Sequence, residues 1–169
     1  KNPEEVDINL LATPGIDTIN NSRLVGQIFD ILEDRADTLY IVTTPDKEAG
    51  SGDFADEIPE VDETVSNFKD AELHSGYAAT YYPWVKIEDN GEYLYIPATR
   101  DVVRNMAESD NSNTTMNLAP AGLTRGKIKA IRARKNLKID ECDVLYGANI
   151  NPVRTYAQEG VVVMGQKTL

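Results

Sequence analysis

Asp7-Ile8-Asn9-Leu10-Leu11-Ala12-Thr13, closed by Pro14-Gly15, opens the stretch on which the fold is read. It has the apolar run of a short buried strand, and Pro14-Gly15 is a stop signal. Asn21 or Ser22 can cap a following helix, in which Leu24, Val25, Ile28, Phe29, Ile31 and Leu32 recur at helical spacing. Asp37 to Thr44 (DTLYIVTT) is a second strand, rich in apolar and β-favouring residues. Strand, helix and strand with short links form a parallel crossover unit, so the chain is expected to be α/β.

Further along, Pro45 to Pro59 carries Gly50-Ser51-Gly52 among many acids and reads as a surface loop. Glu60 to Leu73 suits a helix with Val61, Val65 and Phe68 on one face. Gly76 to Ile87 reads as one aromatic strand holding Tyr77, Tyr81, Tyr82 and Trp84. Asp89-Asn90-Gly91 is a turn, and Tyr93-Leu94-Tyr95-Ile96 continues extended to Pro97. Ala98 to Glu108 suits a helix with Val102, Val103 and Met106 inward. Tyr81, Trp84, Val85 and Ile87 are expected against the helices starting near Ser22 and Ala98, with Trp84 deep in the core.

Ser109 to Thr115 is polar and reads as a linker, which places a boundary near residue 112 and divides the chain into 1–112 and 113–169. Beyond it, Lys127 to Arg134 (KIKAIRAR) fits an exposed strand about as well as a helix. Lys138 to Tyr146, Gly147 to Pro152 and Val161 to Val163 are short pieces cut by Gly and Pro, and no internal repeat is visible.

The 169 residues suffice for one domain with a real core, or for one domain and part of another. With 41% hydrophobic and 27% charged residues the composition is that of a globular chain, not a disordered one. No apolar stretch approaches the roughly 18 residues that span a bilayer. The start, Lys-Asn-Pro-Glu-Glu, has no initiator Met and no signal-peptide layout, so the chain is expected to be a processed or excised piece.

The net charge of −11 is unevenly spread. Residues 1–76 hold 18 acidic and 5 basic side chains, whereas residues 77–169 hold 10 and 12. No acid lies between Asn111 and Ile139, a stretch holding Arg125, Lys127, Lys129, Arg132, Arg134, Lys135 and Lys138. Three readings stand beside one another: a solvated basic face, a nucleic-acid groove, or copies packed so that the basic stretch of one meets the acidic face of the next. Few aromatics interleave with these cations, which weighs against nucleic acid.

No assembled active site is expected, so the chain reads as no enzyme, without catalytic, cofactor-binding or metal residues. His74 is the single histidine, which excludes a multi-histidine metal site, and no Gly-x-Ser-x-Gly elbow presents a serine. His74 is expected at a helix end, where a cationic ring suits the dipole. Cys142, the single cysteine, could couple to His74 as a nucleophile, but it lies between Glu141 and Asp143, whose charges disfavour a thiolate. One cysteine also excludes an internal disulfide. Gly50-Ser51-Gly52-Asp53 lacks the Gly-Lys-Ser/Thr ending of a phosphate loop, and its acidic neighbours match no calcium-loop spacing.

Three stretches in order carry a resemblance. They are Tyr81-Tyr82-Pro83-Trp84-Val85-Lys86-Ile87 with Tyr95-Ile96-Pro97-Ala98-Thr99, then Leu118-Ala119-Pro120-Ala121-Gly122 with Arg125-Gly126. The third is Ile150-Asn151-Pro152-Val153-Arg154 with Gly160-Val161-Val162-Val163-Met164-Gly165-Gln166-Lys167-Thr168-Leu169. Together they resemble the tail sheath proteins of contractile bacteriophages, especially T4-like myoviruses. Met164 stands where that family often has Trp, and the chain stops where family members go on into a basic segment, a helix and an arm.

The resemblance implies the later part of a subtilisin-like α/β sheath domain over 1–112, followed by the start of a smaller α+β C-terminal sheath domain over 113–169. It implies a structural virion protein with a protease-like fold and no protease function. Such subunits self-associate into hexameric rings and a helical sheath around a tail tube protein, between baseplate and tail terminator proteins. They assemble in the host cytoplasm, without nucleic acid or membrane insertion as partners, and contract to drive the tube through the host envelope. The alternatives are a sheath from a related contractile machine, a bacteriocin or secretion system, and a hydrolase of subtilisin-like fold.

Overall fold

Tyr40, Ile41 and Val42 are all fully buried. Successive strand residues point to opposite faces, so three in a row need cover on both sides. A computed structural model, describing residues 5–45, 60–111 and 119–169, shows how that cover is built. The strand is β2 (Leu39–Thr43), flanked by β1 (Leu10–Asp17) and β3 (Ala78–Tyr82), both parallel to it. Its crossovers run through α1 (Ser22–Arg35) and α2 (Val61–Asp70). The sheet then takes in β8 (Ile150–Tyr156), parallel to β3, and adds β9 (Gly160–Val163) and β6 (Lys127–Ile128) antiparallel. The strand order is β1-β2-β3-β8-β9-β6.

A second sheet has the order β5-β4-β7, from β4 (Val85–Asp89), β5 (Glu92–Ile96) and β7 (Arg132–Ala133). The remaining helices are α3 (Thr99–Asn111), the one-turn α4 (Gly122–Arg125) and α5 (Ile139–Gly147). On one face of the large sheet, Tyr40, Val42 and Tyr82 meet Val25, Phe29 and Leu32 of α1, with α2 and α5 beside them. On the other, Ile41 and Tyr81 meet Val102 and Met106 of α3, with Val85 and Ile87 of β4. Each fully buried side chain of this kind is worth roughly 1.5–3 kcal/mol, so the three of α1 and the two of α3 dock those helices firmly. Phe29 meets Tyr40 edge-on, with centroids 6.0 Å apart. The fold is α/β, as the first crossover unit predicts.

Local differences from the sequence reading have physical causes. β1 runs through Pro14-Gly15 instead of stopping there. It is an edge strand, where a missing N–H is tolerated, and its register shifts between Ala12 and Asp17, with Gly15 at φ +87°. The single aromatic strand is two strands in two sheets, parted at Pro83, which has no N–H to extend the β3 ladder. Trp84, at that break, is half-buried and outside both core clusters, and its Nε1 donates to Thr44 O at 2.8 Å. Tyr81, Val85 and Ile87 pack with α3 and not with α1. On α1, Leu24 and Ile31 share the helical spacing yet are exposed.

Lys127 to Arg134 forms two short strands, one in each sheet. The acidic loop from residue 46 to 59 and the boundary at 112 lie outside the described residues, as does Leu118. Ser109 to Asn111 of the expected linker finish α3. On either side of 112 the described chain shares one sheet and both core clusters: Leu137, Leu145 and Ile150 pack with α1, and Val153, Val161 and Val163 with α3.

Candidate assembly surface

The groups weighed for chemistry do not come together. α2 ends at Asp70, so His74 falls beyond the helix end that was to hold it, exposed in the link to β3. It borders a crevice of about 40 Å³ whose other lining residues (Phe68, Lys69, Leu73, Ala148, Asn149 and Leu169) include no serine and no acid. Cys142 lies on α5, half-buried against the first core cluster. Burial pushes its thiol pKa up, and Asp143, Glu141 and Asp140 add to that against Arg154. Among the described residues no group of three or more His, Cys, Asp or Glu is placed to hold a metal. No helix there is long and apolar enough to cross a membrane.

The basic stretch is not one face. Lys135 pairs inside the molecule with Glu60 of the α2 N-cap and with Glu141 of α5. Burial opposes that charge, but the two carboxylates outweigh it and hold the Lys135 pKa up. Lys129 approaches Glu108 at 3.9 Å. Arg132 of β7 and Arg134 just after it go elsewhere, to the hairpin of β4 and β5.

That hairpin turns at Asn90-Gly91, with φ 52° and 85°, which are the left-handed values an Asn-Gly turn needs. Its register pairs Lys86 with Tyr95 and Glu88 with Tyr93, so all four project from one side. Lys86 also pairs with Arg132 of β7, which adds that cation to the same side. The opposite side carries Val85, Ile87 and Ile96 into the core. On the outer side the Lys86 ammonium lies 4.2 Å from the Tyr93 ring centre and the Arg134 guanidinium 5.0 Å from that of Tyr95. Arg132 donates to the Tyr95 hydroxyl at 3.1 Å. Tyr93 nevertheless keeps 61% of its surface exposed. Cations over rings hold these side chains in place while leaving them open to a partner. β5 is also an edge strand of its sheet.

A second structural feature was not read from the sequence. Asn151, fully buried in β8, donates from Nδ2 to Thr80 O (3.1 Å) and to Lys167 O (2.8 Å), and accepts from Lys167 N–H (2.7 Å). It thereby ties the segment after β9 back onto β3. Leu169 N–H donates to Ala78 O there, and Ser75 N–H to Leu169 O. Lys167 Nζ reaches Tyr146 O at 2.9 Å and sits 3.8 Å from the Tyr146 ring centre. Two glycines make the closeness possible. A Cβ at Gly126 would lie 2.4 Å from Val163 O, and one at Gly165 would lie 2.7 Å from Asn151 Oδ1. The available signal was an asparagine inside a β-run, where asparagine is depleted.

With this geometry in view, no family model matches the chain. A stretch of 88 residues, 52% of the chain, is 33% identical to the tail sheath protein of Vibrio phage KVP40 and spans 13% of that protein's length. Among solved structures, the helical sheath of the anti-feeding prophage in its contracted state superposes over 98% of the chain with a TM-score of 0.66 at 20% identity. A chain of the same prophage's baseplate, six-fold symmetrised, gives 0.67 at 20% identity over 98% of the chain. The sheath complex of PVC, an extracellular contractile injection system, in its contracted state gives 0.64 at 22% over 99%. The chain spans 40%, 39% and 41% of these three structures. Over nearly its whole length, this chain has the fold found in the sheaths of contractile machines.

Proposed function

We propose that the chain is part of a structural sheath subunit of a contractile phage tail. In this reading the subunit polymerises around a tail tube and contracts to drive that tube through the host envelope. The observation that carries the reading is the fold, shared over 98% of the chain with a contracted helical sheath. The phage assignment, above other contractile machines, is supported by the tail sheath protein at 33% identity, since likeness at 20–22% identity speaks for the fold alone. Rings, a helical sheath, contacts with tube, baseplate and terminator, assembly in the host cytoplasm and a place in the virion all belong to the same proposal. So do a subtilisin-like arrangement of the large sheet without hydrolytic activity and the start of a smaller C-terminal sheath domain over 113–169, although β6, β8 and β9 of that part join the large sheet. The test is negative-stain microscopy of the full-length protein. Tubes with a central channel are expected, and a protein that never forms them would sink the reading.

A further inference from the structure

We propose that the free edge of β5 docks a second copy of the chain, the two β5 strands pairing antiparallel about a two-fold axis at Leu94. The inference goes beyond the sheath reading and does not rest on it. A two-fold pair closes on itself and does not propagate into a tube, so it belongs to copies outside any assembly.

The backbone decides which groups are open. Ile131 N–H donates to Lys86 O and Arg134 N–H to Trp84 O, both at 2.8 Å, so Trp84 and Lys86 turn their backbone groups towards β7. Alternate residues of an antiparallel strand turn theirs to opposite edges. Val85 and Ile87 therefore face β5, where their register partners are Ile96 and Leu94. Tyr93 and Tyr95 alternate with those two, and their N–H and C=O groups point out of the sheet at its free edge. No described residue bonds to these four groups. There is room for a partner strand. Tyr93, Leu94 and Tyr95 are 61%, 44% and 37% exposed, although Leu94 shares the side that Ile87 and Ile96 turn to the core. The body of the molecule thus does not extend beneath the middle of β5. Nor does β5 carry the Lys, Pro or bulge that guards an edge.

These open groups fit one register. Residues facing each other across an antiparallel pair exchange both backbone bonds or neither. With Leu94 against Leu94 of the second copy, Tyr93 faces Tyr95 of that copy and Tyr95 faces its Tyr93, so every open group is bonded. A shift of one residue sets an open residue against one that faces β4. A shift of two leaves one tyrosine beyond the end of the partner's strand, Glu92–Ile96. Charge agrees with the bonding. Glu88 stands beside Tyr93, whereas Lys86 and then Arg132 stand beside Tyr95. Each outer row of the joined sheet therefore runs Glu88, Tyr93, then Tyr95, Lys86 and Arg132 of the second copy. The acid end of one copy lies in line with the cation end of the other, and aromatic side chains meet between them. Glu92, the one charged residue of β5, faces Ile96 of the second copy, and the two Glu92 side chains sit at opposite ends of the contact. Five residues a side is far below the roughly 20–30 of a standard interface, so the pair is weak and set by concentration.

Two measurements on this chain test the pairing. The first is amide exchange of the wild-type protein from dilute to concentrated solution. The Tyr93 and Tyr95 amides, open in a single copy, should gain protection as concentration rises, while the Leu94 amide, which faces Ile87, changes little. The second is oxidation in a Cys142→Ser background. Leu94→Cys sets two thiols across the axis at a pair without backbone bonds, with Cα atoms about 4.5 Å apart and so within disulfide reach. Its disulfide dimer should form roughly ten-fold faster than that of Glu88→Cys, an exposed position one strand in, because paired thiols are held at high effective concentration. Adding Tyr93→Pro removes an edge N–H without touching the β4 ladder, and should bring the Leu94→Cys rate down to that of Glu88→Cys. Tyr93 and Tyr95 amides that stay open at every concentration would overturn the pairing. So would amides protected equally at every concentration, which would show β5 covered by its own polypeptide. Equal rates for Leu94→Cys and Glu88→Cys, or a Leu94→Cys rate that Tyr93→Pro leaves unchanged, would overturn it as well.

Discussion

Replacing Asn151 with alanine removes three hydrogen bonds at a fully buried site and leaves the backbone of Lys167 and Thr80 O short of partners. A net hydrogen bond is worth about 0.5–1.5 kcal/mol, and a buried polar group left without a partner costs about 1–3 kcal/mol. Lys167 is only half-buried, so water can reach its amide once the segment loosens. Thr80 O, buried between strands, has no such recourse. The expected cost is therefore about 2–4 kcal/mol, or a fall in Tm of roughly 4–16 °C for a chain of this size. Denaturant unfolding measures the total, and amide exchange locates it. The Leu169 amide, held by Ala78 O, should exchange faster than the fall in global stability accounts for. An unchanged midpoint, or a loss spread evenly over all amides, would refute the idea that one side chain fastens this segment. Asn151→Asp keeps the acceptor for Lys167 N–H but turns a negative oxygen on two carbonyls, so it should be worse than alanine.

Trp84→Ala should cost about 1–2 kcal/mol, and Tyr82→Ala about 3–5 kcal/mol, because the first is half-buried at a strand break and the second lies in the core; equal shifts in urea midpoint would contradict that ranking. Gly126→Ala should destabilise by about 1–3 kcal/mol, since its Cβ meets the Val163 carbonyl, and a thermal midpoint matching wild type would show that the backbone yields there. Cys142 should react with iodoacetamide more slowly than a free thiol at neutral pH and catch up as pH rises, burial having raised its pKa; a rate equal to free cysteine at pH 7 would place the thiol in solvent. Glu141 accepts from Lys138 N–H at 2.7 Å, and that bond, helped by Lys135, holds its pKa below the ordinary 4.5. Its contribution is present above the unfolded pKa and lost as pH falls through the lower folded value. Glu141→Gln should therefore flatten the acid limb of a stability–pH profile, and an identical limb would count against this link.

The first crossover unit was legible because its signals are local. Val25, Phe29 and Leu32 recur at helical spacing, and Tyr40 to Val42 form a continuous apolar run. The hairpin turn was equally plain at Asn90-Gly91. What the sequence hid depends on partners distant in the chain. Pro83 marks where the aromatic run can break, but which sheets Tyr82 and Val85 enter is decided by β8 on one side and by Ala133 on the other. Nor does helical spacing tell which rim of α1 faces out, so Leu24 and Ile31 read like Val25 and Leu32. Of the candidate surface, Arg132 and Arg134 were visible as part of a charge run. Their gathering around Tyr93 and Tyr95 was not, since it needs the β4–β7 pairing.

The pairing of β3 with β8 has a bearing on how the chain is made. Thr80 meets Ile150, so the centre of the large sheet closes across a gap of some 70 residues of sequence. During synthesis β1, β2 and β3 emerge before β8, with the β3 edge unpaired and its Tyr82 and Ala78 uncovered by α5. At about 5–20 residues per second, that edge waits roughly 4–14 seconds for its partner. An open, flat, apolar edge is a template for the same edge on another nascent chain. Ribosomes crowded on one message would present such edges side by side. The chain thus faces its greatest risk of wrong pairing before Asn151 has been translated, and slower initiation or a bound chaperone should raise the soluble yield more than any change to the finished surface.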